Sequence, residues 1–125
     1  MTTPPRIIKT VLLENAQTLE IWDLSRKISE DAYVVRMKAQ MEIQIKKNLF
    51  EKISLSDFKF QDILNTLGDR VIYTYHAERN FILTPEKDGV LDGLIAAFLE
   101  NLGPYISTPG FPGKFILKEY QNRIR

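Results

Sequence analysis

The sequence predicts an α+β domain, in which a four-stranded, mainly antiparallel sheet carries two or three helices on one face. Three observations support this prediction. Residues 33–45 alternate strictly between apolar and polar side chains. Other short segments are rich in β-branched and aromatic residues, and two later segments carry apolar residues at helical spacing and end in glycine. With 125 residues, the chain has the size of one domain, so residues 1–125 are expected to fold as a single unit.

The strand over residues 33–45 is the clearest element, because its side chains keep a period of two along its whole length. Its odd positions are apolar, and its even positions are polar except for Val34. The apolar positions are Tyr33, Val35, Met37, Ala39, Met41, Ile43 and Ile45. This strand is therefore expected to turn one face to the core and the other to water.

Two strands and a flexible arm are predicted before it. Residues 1–6 contain two prolines, which disfavour regular strand pairing, and are expected to form the arm. Residues 7–13 are rich in β-branched side chains and predict the first strand. Residues 18–28 predict the second strand, and the polar residues 29–31 predict a hairpin loop that joins it to the third.

The apolar pattern of the second strand changes phase in its middle. Its side chains fall on two parities, with Leu19 and Ile21 on one and Trp22, Leu24 and Ile28 on the other. Hairpin pairing predicts that Trp22 lies opposite Met37 or Ala39, on the core face. A β-bulge near Ile21–Trp22 would then bring all the apolar side chains inward. A second layer, or a partner, over the outer face near Leu19 is the alternative explanation.

A helix and a fourth strand are predicted next. The helix begins after Ser56, whose side chain can accept a hydrogen bond from the first turn, and Gly68 suits the left-handed residue that follows the last turn. Residues 71–78 then alternate again and predict the fourth strand.

The C-terminal third of the chain predicts a second helix, a loop and a final short element. The second helix spans residues 84–102, with Thr84 as its N-cap and Pro85 at the position where proline is tolerated. Residues 103–113 are rich in glycine and proline, which predicts a loop that folds back on the core or lines a pocket. Residues 114–124 predict a short helix, with a strand as the alternative.

Composition excludes several classes of protein. The formal net charge of +1 argues against a dedicated nucleic-acid binder, which gains much of its affinity by neutralising phosphates. The absence of cysteine excludes disulfides, thiolate metal sites and a cysteine nucleophile. No apolar run is long enough to span a bilayer, and the first residues lack the apolar core of a secretory signal. A cytoplasmic protein without membrane contact is therefore expected.

The polar face of the sheet holds the candidate binding residues. They are Asp23, Ser25, Arg36, Lys38 and His76. Such a face can bind a ligand or join two subunits, but a solvated outer face has the same composition. His76 could act as a general base oriented by Glu78 or Asp23, yet no nucleophile motif accompanies it, so no catalytic residue is assigned.

The motifs for metals, cofactors and base stacking are incomplete. A single histidine without cysteine cannot complete a transition-metal site, so neither a metal nor a cofactor is expected. The glycine-containing segments lack the spacing that cradles phosphates. Trp22 and three tyrosines could stack bases only if they were exposed, whereas their parity predicts burial. The tyrosines are Tyr33, Tyr73 and Tyr75.

The block LEIWDLSRKISEDAYVVRM, residues 19–37, resembles short bacterial proteins of an uncharacterised family. The resemblance covers the predicted N-terminal hairpin and carries no assigned activity. It implies a bacterial cytoplasmic protein, and no functional residue is transferred from it.

Two functions follow as hypotheses. The first is a non-enzymatic domain that acts through self-association or a protein partner. A homodimer would form through the edge of the first strand or through the outer face near Leu19 and Ile21, because an open strand edge and apolar side chains beside it must be paired or protected. The alternative is a small-molecule-binding protein or enzyme that uses the polar face around Asp23, Arg36 and His76.

Overall fold

The computed structural model describes residues 5–51 and 53–125. Within these residues it contains five strands and four α-helices, so the predicted α+β class is confirmed, with five strands rather than four and four helices rather than two or three. The strands are β1 (Arg6–Leu12), β2 (Thr18–Asp23), β3 (Arg26–Ser29), β4 (Ala32–Gln44) and β5 (Arg70–Leu83). The helices are α1 (Asp57–Leu67), α2 (Lys87–Asn101), α3 (Gly103–Ile106) and α4 (Phe111–Arg123). Most of the predicted flexible arm, residues 1–4, lies outside the described residues, and Arg6 already belongs to β1.

The sheet is antiparallel and is organised around β4. β5 pairs with one edge of β4 along nearly its whole length, while β2 and β3 lie end to end along the other edge and β1 pairs with β2. The predicted second strand is thus divided into β2 and β3. Two polar side chains lie at the division. The Asp23 carboxylate accepts a hydrogen bond from the Ser25 N–H (2.9 Å), and the Ser25 hydroxyl accepts one from the Arg36 N–H (3.1 Å). These side chains replace the backbone partners that would continue the strand.

The hairpin contains the predicted bulge, but at a different place. Ser29 pairs with Ala32 across the tight turn, whereas Lys27 pairs with Tyr33, so Ile28 is the extra residue. Without this bulge, the turn would place Trp22 opposite Ala39, as the sequence predicts. Because the bulge lies beside the turn, every later pair shifts by one residue.

The shift reverses the side on which Trp22 lies. Trp22 pairs with Lys38, an outer-face residue, so the predicted burial of Trp22 in the core is wrong. Leu24 and Ile28 are likewise not part of the core, and Ile28 is exposed. Leu19 and Ile21 do face inward and have no exposed surface. They cannot form an interface in the folded domain, and that prediction is wrong.

The core lies between one face of the sheet and the helices. The odd residues from Val35 to Ile43 of β4, and Ile45 just after it, are buried, as their alternation predicts, and the even residues from Arg36 to Gln44 lie on the opposite face. Two aromatic contacts attach helices to β5: Tyr75 packs on Phe98 of α2, with ring centroids 4.7 Å apart, and Tyr73 meets Phe111 of α4 edge to face at 5.5 Å.

The helix boundaries follow the predicted signals in part. The Ser56 hydroxyl accepts a hydrogen bond from the Lys59 N–H (3.1 Å), and Gly68 has a φ of 86°, so both ends of α1 are confirmed. Thr84 is not an N-cap; it opens a 3-10 turn, and α2 begins at Lys87.

The segment predicted as a loop, residues 103–113, is largely helical. Pro104 and Pro112 are the second residues of α3 and α4, within the first turn, where the helix uses no N–H donor. The final segment is confirmed as a helix rather than a strand.

The side chain of Asn15 joins the β1–β2 turn to the C-terminal part of the chain. Asn15, in the turn between β1 and β2, donates hydrogen bonds to the carbonyl groups of Ile106 (2.8 Å) and Thr108 (2.9 Å), between α3 and α4. Its own carbonyl oxygen accepts from the Gln17 N–H (3.1 Å). This carboxamide holds the first hairpin turn against the C-terminal helices.

Candidate interaction surface

The five candidate residues lie on opposite faces of the sheet. Asp23 pairs with the core residue Met37, and Asp23 and Ser25 are only 5% and 3% exposed on the helix-covered side. Arg36 and His76 lie on the open face. The polar cluster predicted around Asp23, Arg36 and His76 is therefore not assembled, which removes the residue set of the small-molecule or enzyme hypothesis. Asp23 and Ser25 instead divide β2 from β3.

Arg36 connects two side chains of β5 on the open face. Its guanidinium lies 3.2 Å from Nδ1 of His76 and 3.8 Å from the Glu78 carboxylate. A guanidinium only donates, so Nδ1 of His76 accepts and the ring is neutral with its proton on Nε2. His76 is thus a hydrogen-bonded surface residue.

The pKa of His76 is lowered from its ordinary value by partial burial, and further by the positive charges of Arg36 and Lys38. The unfolded chain therefore binds a proton at higher pH than the folded one. This contribution to stability is complete above the ordinary pKa and is lost as the pH falls through the folded pKa.

A proton titration followed by NMR should show this lowered pKa directly. The Lys38→Gln variant should raise the pKa of His76, because it removes one of the facing charges. Lys118→Gln, on α4 at the covered side of the sheet, is the matched control and should leave the titration unchanged. A wild-type His76 that titrates at or above the ordinary value would contradict the arrangement.

Trp22 forms an apolar area beside these charges. It pairs with Ile7 of β1 on one side and with Lys38 on the other, and the Lys38 ammonium lies 4.6 Å from the centre of its ring. A cation at this distance over an indole is attracted to the ring. The sequence did not predict that Trp22 lies on the open face, because it placed the bulge near Ile21–Trp22 rather than at Ile28.

Two arginines of the open face pair with carboxylates. Arg70 bonds to Glu42 at 2.8 Å and Arg36 faces Glu78, while Lys38 rests on Trp22. The hydrogen bond that Arg70 donates to Glu42 raises the pKa of Arg70, with smaller contributions from the charges of Glu42 and Asp69. This face therefore presents alternating signs rather than a basic patch.

The hydrogen bonds of the β4 backbone show which backbone N–H and C=O groups of β5 do not bond to β4. Arg36 turns both of its backbone groups toward β2 and β3: its C=O accepts from the Leu24 N–H (2.9 Å), and its N–H donates to the Ser25 hydroxyl. These groups alternate sides along an antiparallel strand. The even residues of β4 therefore bond toward β2 and β3, and the odd residues bond toward β5.

The even residues of β5 consequently turn their N–H and C=O groups to the open edge of the sheet. The Ile45 N–H donates to the Asp69 C=O (2.8 Å), which agrees with bonding between odd residues. In the described part of the chain, β5 pairs only with β4. The residues that present their backbone at this edge are Arg70, Ile72, Thr74, His76 and Glu78.

The two edges of the sheet are protected differently. The β1 edge has a bulge at Ile8, a lysine at Lys9 and Pro5 just before the strand, all of which discourage pairing with another strand. Along β5, the pairing with β4 runs without a shift from Arg70 to Arg79, and this stretch contains neither proline nor lysine. The β5 edge is therefore the better template for an added strand.

The segment before α4 borders a cavity of about 460 Å³. The cavity is lined by Asn48, Leu49, Glu51, Ile53, Pro109, Gly110 and Lys114. Within residues 103–113, which were predicted to fold back on the core or line a pocket, Ile106 and Phe111 are buried in the core and Tyr105 is exposed. The segment thus both folds onto the core and lines a pocket.

The chain matches no protein-family model, and comparisons with curated proteins and with solved structures found no match. Residues 5–51 and 53–125 contain no group of three or more metal-ligating side chains. None of the helices among them is long and apolar enough to cross a membrane.

Proposed function

We propose that the chain is a non-enzymatic interaction domain, which acts through self-association or a protein partner by adding a strand to the open edge of β5. Strand addition uses main-chain hydrogen bonds for affinity and the flanking side chains for specificity. We likewise propose a cytoplasmic location in a bacterium, on the resemblance of residues 19–37 to short bacterial proteins.

The observation that carries the proposal is the long regular edge of β5. Edge strands in soluble proteins are usually short, bulged or guarded by lysine and proline, because unpaired backbone groups attract other strands. The β5 edge has none of these features between Arg70 and Arg79, whereas β1 has a bulge, a lysine and a preceding proline. The sequence predicts pairing through the edge of β1 or the outer face near Leu19 and Ile21, whereas the regular edge of β5 supports pairing there.

The Thr74→Pro variant tests this edge selectively. The Thr74 N–H points to the open edge, so proline at this position removes an edge donor without removing a bond to β4. We expect wild-type protein to dimerise within the range of about 1–100 μM in sedimentation velocity, which corresponds to a micromolar dissociation constant. Thr74→Pro should remain a folded monomer with a native circular dichroism spectrum.

Thr10→Pro is the matched control on the other edge. Leu13 and Gln17 bond through their backbones (2.8 Å), so the odd residues of β1 bond to β2 and the Thr10 N–H faces outward. This variant should dimerise like the wild type. Wild-type protein that stays monomeric at about 100 μM, or loss of association in Thr10→Pro alone, would contradict the proposal.

A further inference from the structure

We infer that the strand added at the β5 edge is β5 of a second copy of this chain, paired antiparallel about a twofold axis at Thr74. This inference rests on the proposed function and specifies its partner and register. A twofold axis perpendicular to a continuous antiparallel sheet places one residue opposite its own copy. The residues on either side of that position then pair in reverse order.

The length of the regular edge selects Thr74 as the centre. The pairing of β5 with β4 continues from the Asp69 carbonyl to Arg79, and the register shifts immediately afterwards. Beyond Arg79, two residues of β5 oppose one of β4, and Phe81 has a φ of 54°. Thr74 is the midpoint of the undistorted stretch 69–79. A pair centred there uses the whole straight edge of both copies and stops where each begins to bend.

Charge complementarity selects the same register. With Thr74 at the centre, Arg70 lies opposite Glu78 of the second copy, and Asp69 lies opposite Arg79. The symmetry repeats both pairs at the other end, so all four end positions meet a charge of opposite sign. Opposite charges directly across antiparallel strands stabilise their pairing, and like charges weaken it.

Neighbouring registers lose this match. A centre at Tyr73 would place Arg70 opposite His76, next to the positive charges that already face that ring. A centre at Tyr75 would place Glu78 opposite Ile72, so the carboxylate would meet no cation of the second copy. In the register about Thr74, the two Thr74 residues lie directly opposite each other. Tyr73 lies opposite the second copy's Tyr75 on the helix side of the sheet, and aromatic pairs of this kind favour strand pairing.

Two single charge reversals test the register. In a homodimer of Arg70→Glu protein, both symmetry-related pairs of residue 70 with residue 78 become glutamate facing glutamate. In Glu78→Arg protein, both become arginine facing arginine. We expect each variant alone to dimerise at least about tenfold more weakly than the wild type, which corresponds to about 1.4 kcal/mol. Sedimentation velocity at matched concentrations measures this change.

Mixing the two variants provides the decisive comparison. A heterodimer of Arg70→Glu protein with Glu78→Arg protein has two attractive pairs in the Thr74 register, so association should return to within a few-fold of the wild type. Changes within each chain, such as the loss of the Glu42 contact, are the same in homodimers and heterodimers and cannot produce this recovery. Fluorescent labelling of one variant identifies the heterodimer.

The possible failures are distinguishable. Dimers that resist both charge reversals but are abolished by Thr74→Pro would overturn the register and leave pairing at the β5 edge intact. Variants that are weakened alone and do not recover on mixing would also overturn the register. Dimers that persist in Thr74→Pro would overturn the proposed function together with this inference.

Discussion

Replacement of Phe98 by alanine should lower the free energy of unfolding by about 3–5 kcal/mol. Phe98 is 2% exposed and packs its ring on Tyr75, so it contributes directly to the packing of α2 against β5. Alanine would leave a cavity beneath the sheet, and the surrounding strands can close it only in part. Urea denaturation followed by circular dichroism measures the loss as a lower midpoint with an unchanged slope.

Phe58→Ala is the matched control. Phe58 lies on α1 and is 84% exposed, so its removal should change the free energy of unfolding by no more than about 0.5 kcal/mol. If both phenylalanine variants lost similar stability, the packing of α2 against β5 described above would be wrong.

Gly113→Ala should destabilise the protein by about 2–3 kcal/mol, although alanine favours helices more than glycine does. Gly113 lies in α4, where a Cβ atom would be 2.5 Å from the Leu49 carbonyl oxygen and 3.6 Å from Cδ1 of Ile53. The nearest atom belongs to the backbone of the 3-10 turn Lys47–Phe50, so it cannot rotate aside. The helix or the turn must move, which loosens the packing of α4. Thermal unfolding measures the decrease.

Gly93→Ala isolates the effect of this close contact. Gly93 lies within α2, and a Cβ atom there would meet nothing within 4 Å. This variant should gain about 0.5–1 kcal/mol, the usual difference between alanine and glycine in a helix. Opposite signs for the two substitutions would establish that α4 approaches the turn through Gly113. Stabilisation in both variants would show that it does not.

The predictable part of the fold is the part where side-chain polarity and burial agree. The strict alternation of residues 33–45 correctly predicted both faces of β4, because a long central strand with one wet face leaves no other arrangement of its apolar side chains. The capping signals at Ser56 and Gly68 likewise placed both ends of α1, since each acts within one turn of chain. Local signals of this kind can be read from the sequence alone.

The hairpin was less predictable, because its register depends on one residue that carries no distinctive signal. Ile28 is β-branched and fits a regular strand as well as a bulge, so the sequence could not indicate that the extra residue lies there. The exposure of Asp23 and Ser25 was predicted wrongly for another reason. Polar side chains in a strand predict exposure, yet these two are buried because each accepts a backbone hydrogen bond in the interior.

The sequence predicted some residues of the open face correctly but did not predict the β5 edge. Arg36, Lys38 and His76 do share the open face, as the alternation predicts. The regular edge of β5 was not foreseen, because the sequence predicts where a strand lies but not which of its neighbours is absent. That property depends on the order of strands in the sheet, which the chain settles through contacts between distant residues.

The tether made by Asn15 has a consequence for the order in which the molecule is completed. Its two hydrogen-bond acceptors lie 91 and 93 residues further along the chain, so the turn between β1 and β2 is synthesised long before its partners exist. Closing a loop of this length costs entropy that only later packing can offset. On the ribosome, this turn is made before α3, and its hydrogen bonds to Ile106 and Thr108 can form only after those residues have left the exit tunnel.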